Sequence, residues 1–193
     1  MVTLARAATE ERFLDAAERL LIRVGHAGVS TRALAEEAGA NAGLVHYYFG
    51  SINQLFVRVL ERFTERLIER QQAMYAEDRP FVEKWRQAMR YLDVDRDYQK
   101  VWFELQALAW NRPELRDLVA EVNGEWRAVL AEALAGPREA YGIPLSLDAL
   151  VSLVMTLNEG LIVERLSGIR TGQEELLDWI DGWLARIAKG TDR

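Results

Sequence analysis

The chain has 193 residues, half of them hydrophobic, and a formal net charge of −6 from 24 Lys+Arg against 30 Asp+Glu. That apolar half excludes a disordered protein, 28% charged residues exclude an integral membrane protein, and the acidic balance excludes polyanion binding through bulk basicity. With no cysteine and only His26 and His46, thiol nucleophiles, disulfide scaffolds and multi-ligand metal centres drop out, so no metal or other cofactor is expected.

Residues 1–8 carry one charge and no apolar core of the kind a secretory signal needs, so the expected location is the cytoplasm. A first helix is predicted from Thr9, a plausible N-cap followed by Glu10 and Glu11 at the positive end of the dipole. Phe13, Ala16, Ala17, Leu20, Leu21 and Val24 keep the spacing of one apolar face until Gly25. A short helix follows Ser30 and stops at Gly39, and another follows Asn41 and ends near Gly50. Ser51 then caps a long helix through Leu55, Val59, Phe63 and Leu67. Further helices are expected at about 80–92, 97–110, 113–135, 146–166 and 174–188, with breaks at Gly136-Pro137 and Gly142-Ile143-Pro144. The most apolar stretch, 145–166, is interrupted by Asp148, Asn158, Glu159 and Glu164, so it reads as a buried helix and no membrane partner is expected. The fold class is all-α.

Two short helices joined by Ala38-Gly39-Ala40-Asn41 form a helix-turn-helix pattern, with Gly39 free to take the left-handed turn conformation. The segment 29–51, VSTRALAEEAGANAGLVHYYFGS, resembles the DNA-binding domain of TetR/AcrR-family transcriptional regulators. The close on Tyr47-Tyr48-Phe49 carries much of that resemblance, and Asn111-Arg112-Pro113-Glu114-Leu115-Arg116 adds a weaker one. The resemblance implies a helix-turn-helix domain over 1–50 and a helical effector-binding and dimerisation domain over 51–193. It implies base reading near the start of the second short helix, at Ala42, Gly43 and Leu44, with Tyr47 one turn later.

Chemistry assigns roles within that frame. Ala42 and Gly43 let backbone approach DNA, and Leu44 suits a thymine methyl. Arg32 is the best side chain for a bidentate guanine contact, while Ser30, Thr31, His46 and Tyr48 offer phosphate donors, with Asn41 beside them. Two positions depart from the family pattern: Ile52 stands where many members have Lys, and His46 where many have Tyr, which makes a phosphate contact there pH-dependent. Residues 1–55 hold five Arg (6, 12, 19, 23, 32) and six acidic residues (10, 11, 15, 18, 36, 37), a balance of −1. Few ionic contacts with DNA are therefore expected, with Arg6 in the N-terminal arm reaching phosphate or the minor groove.

The helix at 97–110 is apolar on almost every side and should lie at the centre of its domain. Trp85, Met89, Trp102, Gln106, Trp110, Asn123 and Trp126 either line an effector pocket or pack as ordinary core. Asn158 and Glu159, in the middle of an apolar helix, either meet a partner helix or face a ligand cavity. Leu150, Leu153, Val154, Leu157 and Leu161, continued by Trp179, Ile180, Trp183 and Ile187, read as the interface of a homodimer built on a four-helix bundle. Arg58, Arg62, Arg66 and Arg70 read as a solvated face laced with i,i+4 pairs.

The function expected is a dimeric, sequence-specific regulator, a repressor released from a palindromic double-stranded operator by a small apolar or amphipathic effector. The alternative is a helix-turn-helix module acting through protein contacts without DNA. An all-helical enzyme finds no support, because no paired-carboxylate or nucleophile–base spacing occurs.

Overall fold

A computed structural model describes residues 2–191. These form nine α-helices and one single-turn 3-10 helix, with no strand among the described residues. They are α1 (Val2–Val24), the 3-10 turn His26–Gly28, α2 (Thr31–Ala38), α3 (Gly43–Phe49), α4 (Ile52–Ala76), α5 (Phe81–Val94), α6 (Arg96–Ala109), α7 (Pro113–Ala140), α8 (Leu147–Leu166) and α9 (Gln173–Thr191). Two compact units result. One runs to Arg66 and takes in Asp97–Val122; the other holds Leu67–Arg96 and the chain from Asn123 onward.

Unit one grows from the apolar face of α1. Phe13, Ala16, Ala17, Leu20 and Leu21 are buried, as are Leu34, Ala35 and Ala38 of α2 and Val45 of α3. Leu55, Phe56, Val59 and Leu60 of α4 and Val101, Trp102 and Leu105 of α6 are buried in the same unit. Thr9 is not the start of α1, which begins at Val2 and carries Thr9 in its interior. The reason is local: Ala7 and Ala8 are strong helix formers, no Gly or Pro precedes them, and Arg6 pairs with Glu10 one turn on at 3.2 Å.

Unit two packs α5, α8 and α9 with the later part of α7. Val82 and Trp85 of α5, Leu130 and Leu134 of α7, Leu150, Val151 and Val154 of α8 and Leu184 of α9 make one buried cluster. The break expected at Gly136-Pro137 does not occur, since α7 runs on through Pro137 to Ala140. The helix ends at Ala140, and Gly142 just beyond it, with a φ of 59°, is left-handed. There the N–H groups of Gly142 and Ile143 donate to the carbonyls of Glu139 and Arg138, a paired closure that satisfies orphan acceptors. Ser146 caps α8 by accepting the Ala149 N–H at 3.2 Å.

The arginine row of α4 is not a face of i,i+4 pairs. Arg62 reaches α1 and binds Glu11, Asp15 and Glu18 together, Arg66 shares Glu18, and Arg70 pairs with Asp95. Only Arg58 pairs along its own helix, with Glu61 at three residues' distance. The partners lie 25 to 51 residues away in sequence, so spacing along α4 alone could not reveal them.

Candidate nucleic-acid interface

Local chemistry sets the helix-turn-helix. The Ser30 hydroxyl oxygen accepts the Ala33 N–H at 3.1 Å and starts α2, keeping its own proton free to donate. Gly39, at φ 58°, ends α2 in the left-handed conformation that a turn this tight requires. Asn41 Oδ1 accepts the Gly43 N–H at 2.8 Å and braces the turn just before α3. Arg12 of α1 donates to the carbonyls of both Ala38 and Gly39, tying α1 to the turn. Nothing in the sequence spacing marks Arg12 for this task, because the contact spans 26 residues.

Helix α3 is held from behind by aromatic packing. Phe13, fully buried, meets the Tyr48 ring at 6.4 Å and the edge of Phe49 at 6.2 Å. Tyr47 stands out on the other side, 68% exposed, with the Arg6 guanidinium 5.8 Å from its ring and equally far from that of Tyr48. Gly43 and His46 are exposed, Ala42 and Leu44 half-buried, so α3 presents short side chains and one aromatic outward. His46 Nδ1 donates to the Gly50 carbonyl at 3.1 Å, leaving Nε2 as its outward nitrogen.

The arginines sort themselves by partner. Arg6 pairs with Glu10, Arg12 binds the turn carbonyls, and Arg19 and Arg23 both hold Glu37, at 2.9 and 2.8 Å. The two guanidiniums hold the Glu37 carboxyl below its ordinary range. Of the five arginines in residues 1–55, Arg32 alone is exposed with no ion pair or hydrogen bond among the described residues.

A tether joins α6 to the turn that precedes this head. The Glu104 carboxylate of α6 accepts the His26 N–H at 2.5 Å. The His26 ring lies edge-on to Phe56 at 5.3 Å. Burial, then the charge of Arg112, holds its pKa below the ordinary value, while Glu104 opposes them. Gly25 has φ 71°, and a Cβ there would come within 2.9 Å of Glu104 Oε1. Gly25→Ala is expected to lower stability by about 1–3 kcal/mol, from the left-handed backbone and the displaced carboxylate together. Urea unfolding checks this, and an unmoved midpoint would count against the tether.

The residues expected to bind an effector divide between the units. Trp85 is buried in the core of unit two, with Met89 packed against it, so both are core there. Trp126, Asn123 and Asn158 are half-buried in the same unit. Asn158 Oδ1 is sealed from solvent with no hydrogen-bond partner, and burial raises the pKa of neighbouring Glu159. Trp102 is buried in unit one and Gln106 half-buried, but Trp110 lies past the end of α6 and is 72% exposed. The expectation that α6 is surrounded by core is thus corrected: Tyr98, Gln99, Val101, Trp102, Leu105 and Ala109 form its buried side, while Ala107 is exposed. Of the nine residues expected at a dimer interface, Leu150, Val154 and Leu161 are buried within the subunit. Leu157, Ile180, Trp183 and Ile187 pack partly against the same cluster. Leu153 and Trp179 remain outside, 56% and 62% exposed.

An all-helical body with a helix-turn-helix near its start belongs to a class of DNA-binding regulators. Residues 13–59 match the family described as bacterial regulatory proteins, tetR family, and residues 76–186 match the tetracyclin repressor-like C-terminal domain. The chain belongs to the TetR family of transcriptional regulators; it is a DNA-binding regulator and not an enzyme. Solved structures share the fold. One is a candidate transcriptional regulator from Saccharomonospora viridis in complex with choline, 22% identical, covering 95% of this chain and 96% of its own, TM-score 0.74. Another is the fatty acid degradation regulator FadR from Bacillus halodurans, 17% identical, covering 91% and 94%, TM-score 0.73. A third is a transcriptional regulator from Rhodococcus sp. Rha1, 18% identical, covering 94% and 96%, TM-score 0.71. Among curated proteins none matches. No helix of the described residues is long and apolar enough to cross a membrane.

Proposed function

We propose that the chain is a homodimeric cytoplasmic repressor that holds a palindromic operator until a small apolar or amphipathic ligand releases it. The observation that carries the DNA-reading part is the isolation of Arg32: every other arginine of the head is engaged inside the protein, and this one is free for a base edge. In this reading Ala42, Gly43, Leu44 and Tyr47 line the major groove. Ser30, Thr31, Asn41, His46 and Tyr48 bind phosphates and fix the register. Exposed Leu153 of α8 and Trp179 of α9 support association through those helices, with two heads about 34–36 Å apart on successive turns of DNA. The choline complex of the S. viridis protein supports a small-ligand role for a body of this fold.

Release follows from linkage. Helix α4 begins directly after the head and ends within unit two, so a ligand that favours one arrangement of it changes the fit of the heads to DNA. A coupling of about 1–3 kcal/mol weakens the operator complex about 5–150-fold, and bound operator must weaken ligand binding by the same factor. Selection from a random DNA pool, with sizing of the protein–DNA complex, tests the reading. A recovered palindrome bound by two chains supports it. A pool without enrichment would favour a module acting through protein contacts, and unequal coupling factors would defeat the release mechanism.

A further inference from the structure

We propose that the junction between α1 and α2 is an acid-sensitive joint, which α6 grips while the His26 imidazole is neutral and releases when that ring takes up a proton, weakening the hold on DNA. The effect on DNA rests on the repressor reading above; the joint stands on its own geometry. All of its groups lie within unit one.

The grip begins with a broken helix. Were α1 to continue past Val24, the Ile22 carbonyl would accept the His26 N–H, the next bond of the ladder. Gly25, at φ 71°, turns the chain away and leaves both groups without that bond. Helix α6 supplies the two missing partners from residues one turn apart. The Lys100 ammonium donates to the Ile22 carbonyl at 3.1 Å, and the Glu104 carboxylate takes the His26 N–H.

The imidazole sits inside this grip without a hydrogen bond. Neither ring nitrogen has a partner among the described residues, and the ring leans edge-on against Phe56. The charges that act on it are Glu104 of α6 and Arg112 beyond the end of that helix, while α4 meets it with the uncharged Phe56 ring. Lys100 is occupied at the Ile22 carbonyl, and Arg23 of α1 is held by Glu37. Burial and Arg112 together outweigh Glu104, so the closed joint disfavours the imidazolium. A proton therefore binds more tightly once the ring has left, and acid shifts the balance that way. A cavity of about 370 Å³ adjoins the ring, walled by Val24, Ala27, Ala107 and Leu108, and gives it room to move. An imidazole that swings out draws the His26 N–H off Glu104. The grip is complete above the ordinary histidine pKa of about 6.5 and weakens as pH falls below it. His46 works in the opposite sense, since an imidazolium at its proposed phosphate holds DNA more firmly in acid.

Hydrogen exchange of the intact protein, followed by NMR between about pH 8 and pH 5 and corrected for intrinsic exchange, reads the joint without DNA. The His26 amide should lose protection as pH falls, while the amides of α3 keep theirs. In His26→Gln, which cannot titrate, the amide at position 26 should stay protected across the range. In Glu104→Gln its protection should be weaker at every pH. Unchanged protection in the parent, an equal acid loss in His26→Gln, or a loss shared by α3 would overturn the joint. On the duplex recovered by selection, acid should cost the parent more affinity than His26→Gln, a difference from which the His46 contribution cancels. Equal pH profiles on DNA, with the amide behaving as expected, would keep the joint and remove its hold on the operator.

Discussion

Phe13→Ala is expected to lower stability by about 3–5 kcal/mol, the usual cost of emptying an aromatic site in a close-packed core. Phe13 is fully buried, and its ring contacts Tyr48 and the edge of Phe49, so the void would open under α3. For a chain of this length, such a loss removes much of the margin that keeps a domain folded. Phe13→Leu refills most of the volume and should recover most of the stability. It leaves missing the aromatic contacts, worth about 0.5–1.5 kcal/mol beyond burial. Denaturant unfolding of both variants measures the difference. Operator affinity, corrected for the folded fraction, should fall further in the alanine variant because Phe13 backs α3, the helix proposed to meet DNA. Equal midpoints for parent and Phe13→Ala would mean that α3 is seated by something other than α1.

The same contact explains why the head was legible in sequence while much of the body was not. The reading head is assembled from short-range chemistry. Ser30 caps through Ala33, Asn41 accepts the Gly43 N–H before α3, and Gly39 turns the chain at a left-handed φ, each within three residues of the feature it creates. Signals of that range survive in the order of residues. The start of α1 did not, because Thr9 is as good a cap as Ser30 and only the helix formers before it decide that the helix continues. Gly136-Pro137 failed for a related reason. A proline removes one helical hydrogen bond, yet α7 carries on for three residues to Ala140, and left-handed Gly142 just beyond completes the closure.

Side-chain partnerships at long range were out of reach. Arg12 on the turn, Arg62 on three acids of α1 and Glu104 on the His26 N–H connect residues 26 to 78 positions apart. A period-3.6 pattern says which face of a helix is polar and nothing about which acid stands opposite. The tryptophans show the same limit from the apolar side. Trp85 and Trp102 are buried and Trp110 is exposed, though all three sit at helical spacing from apolar neighbours. Burial depends on the helix packed opposite, so aromatic spacing alone could not tell core from pocket or surface.

Arg32→Ala is expected to weaken operator binding by about 5–150-fold in each half-site, the equivalent of about 1–3 kcal/mol for a lost bidentate base contact. The substitution should leave the unfolding midpoint in place, because the side chain is exposed and has no internal partner among the described residues. The loss should also be uneven across DNA sequences. Variants altered at the guanine that Arg32 reads would bind the mutant and the parent alike, while variants altered elsewhere would keep the full penalty. Salt dependence separates this role from phosphate contact. A base contact leaves the log–log slope unchanged, whereas loss of one neutralised phosphate lowers its magnitude by about 0.9. The parent slope should itself be shallow, since Arg6, Arg19 and Arg23 are held by acids inside the head and residues 1–55 contain no lysine. A slope reduced by about 0.9 in Arg32→Ala, with equal loss on every sequence, would transfer base reading to the short side chains of α3 and make Arg32 an anchor on the backbone.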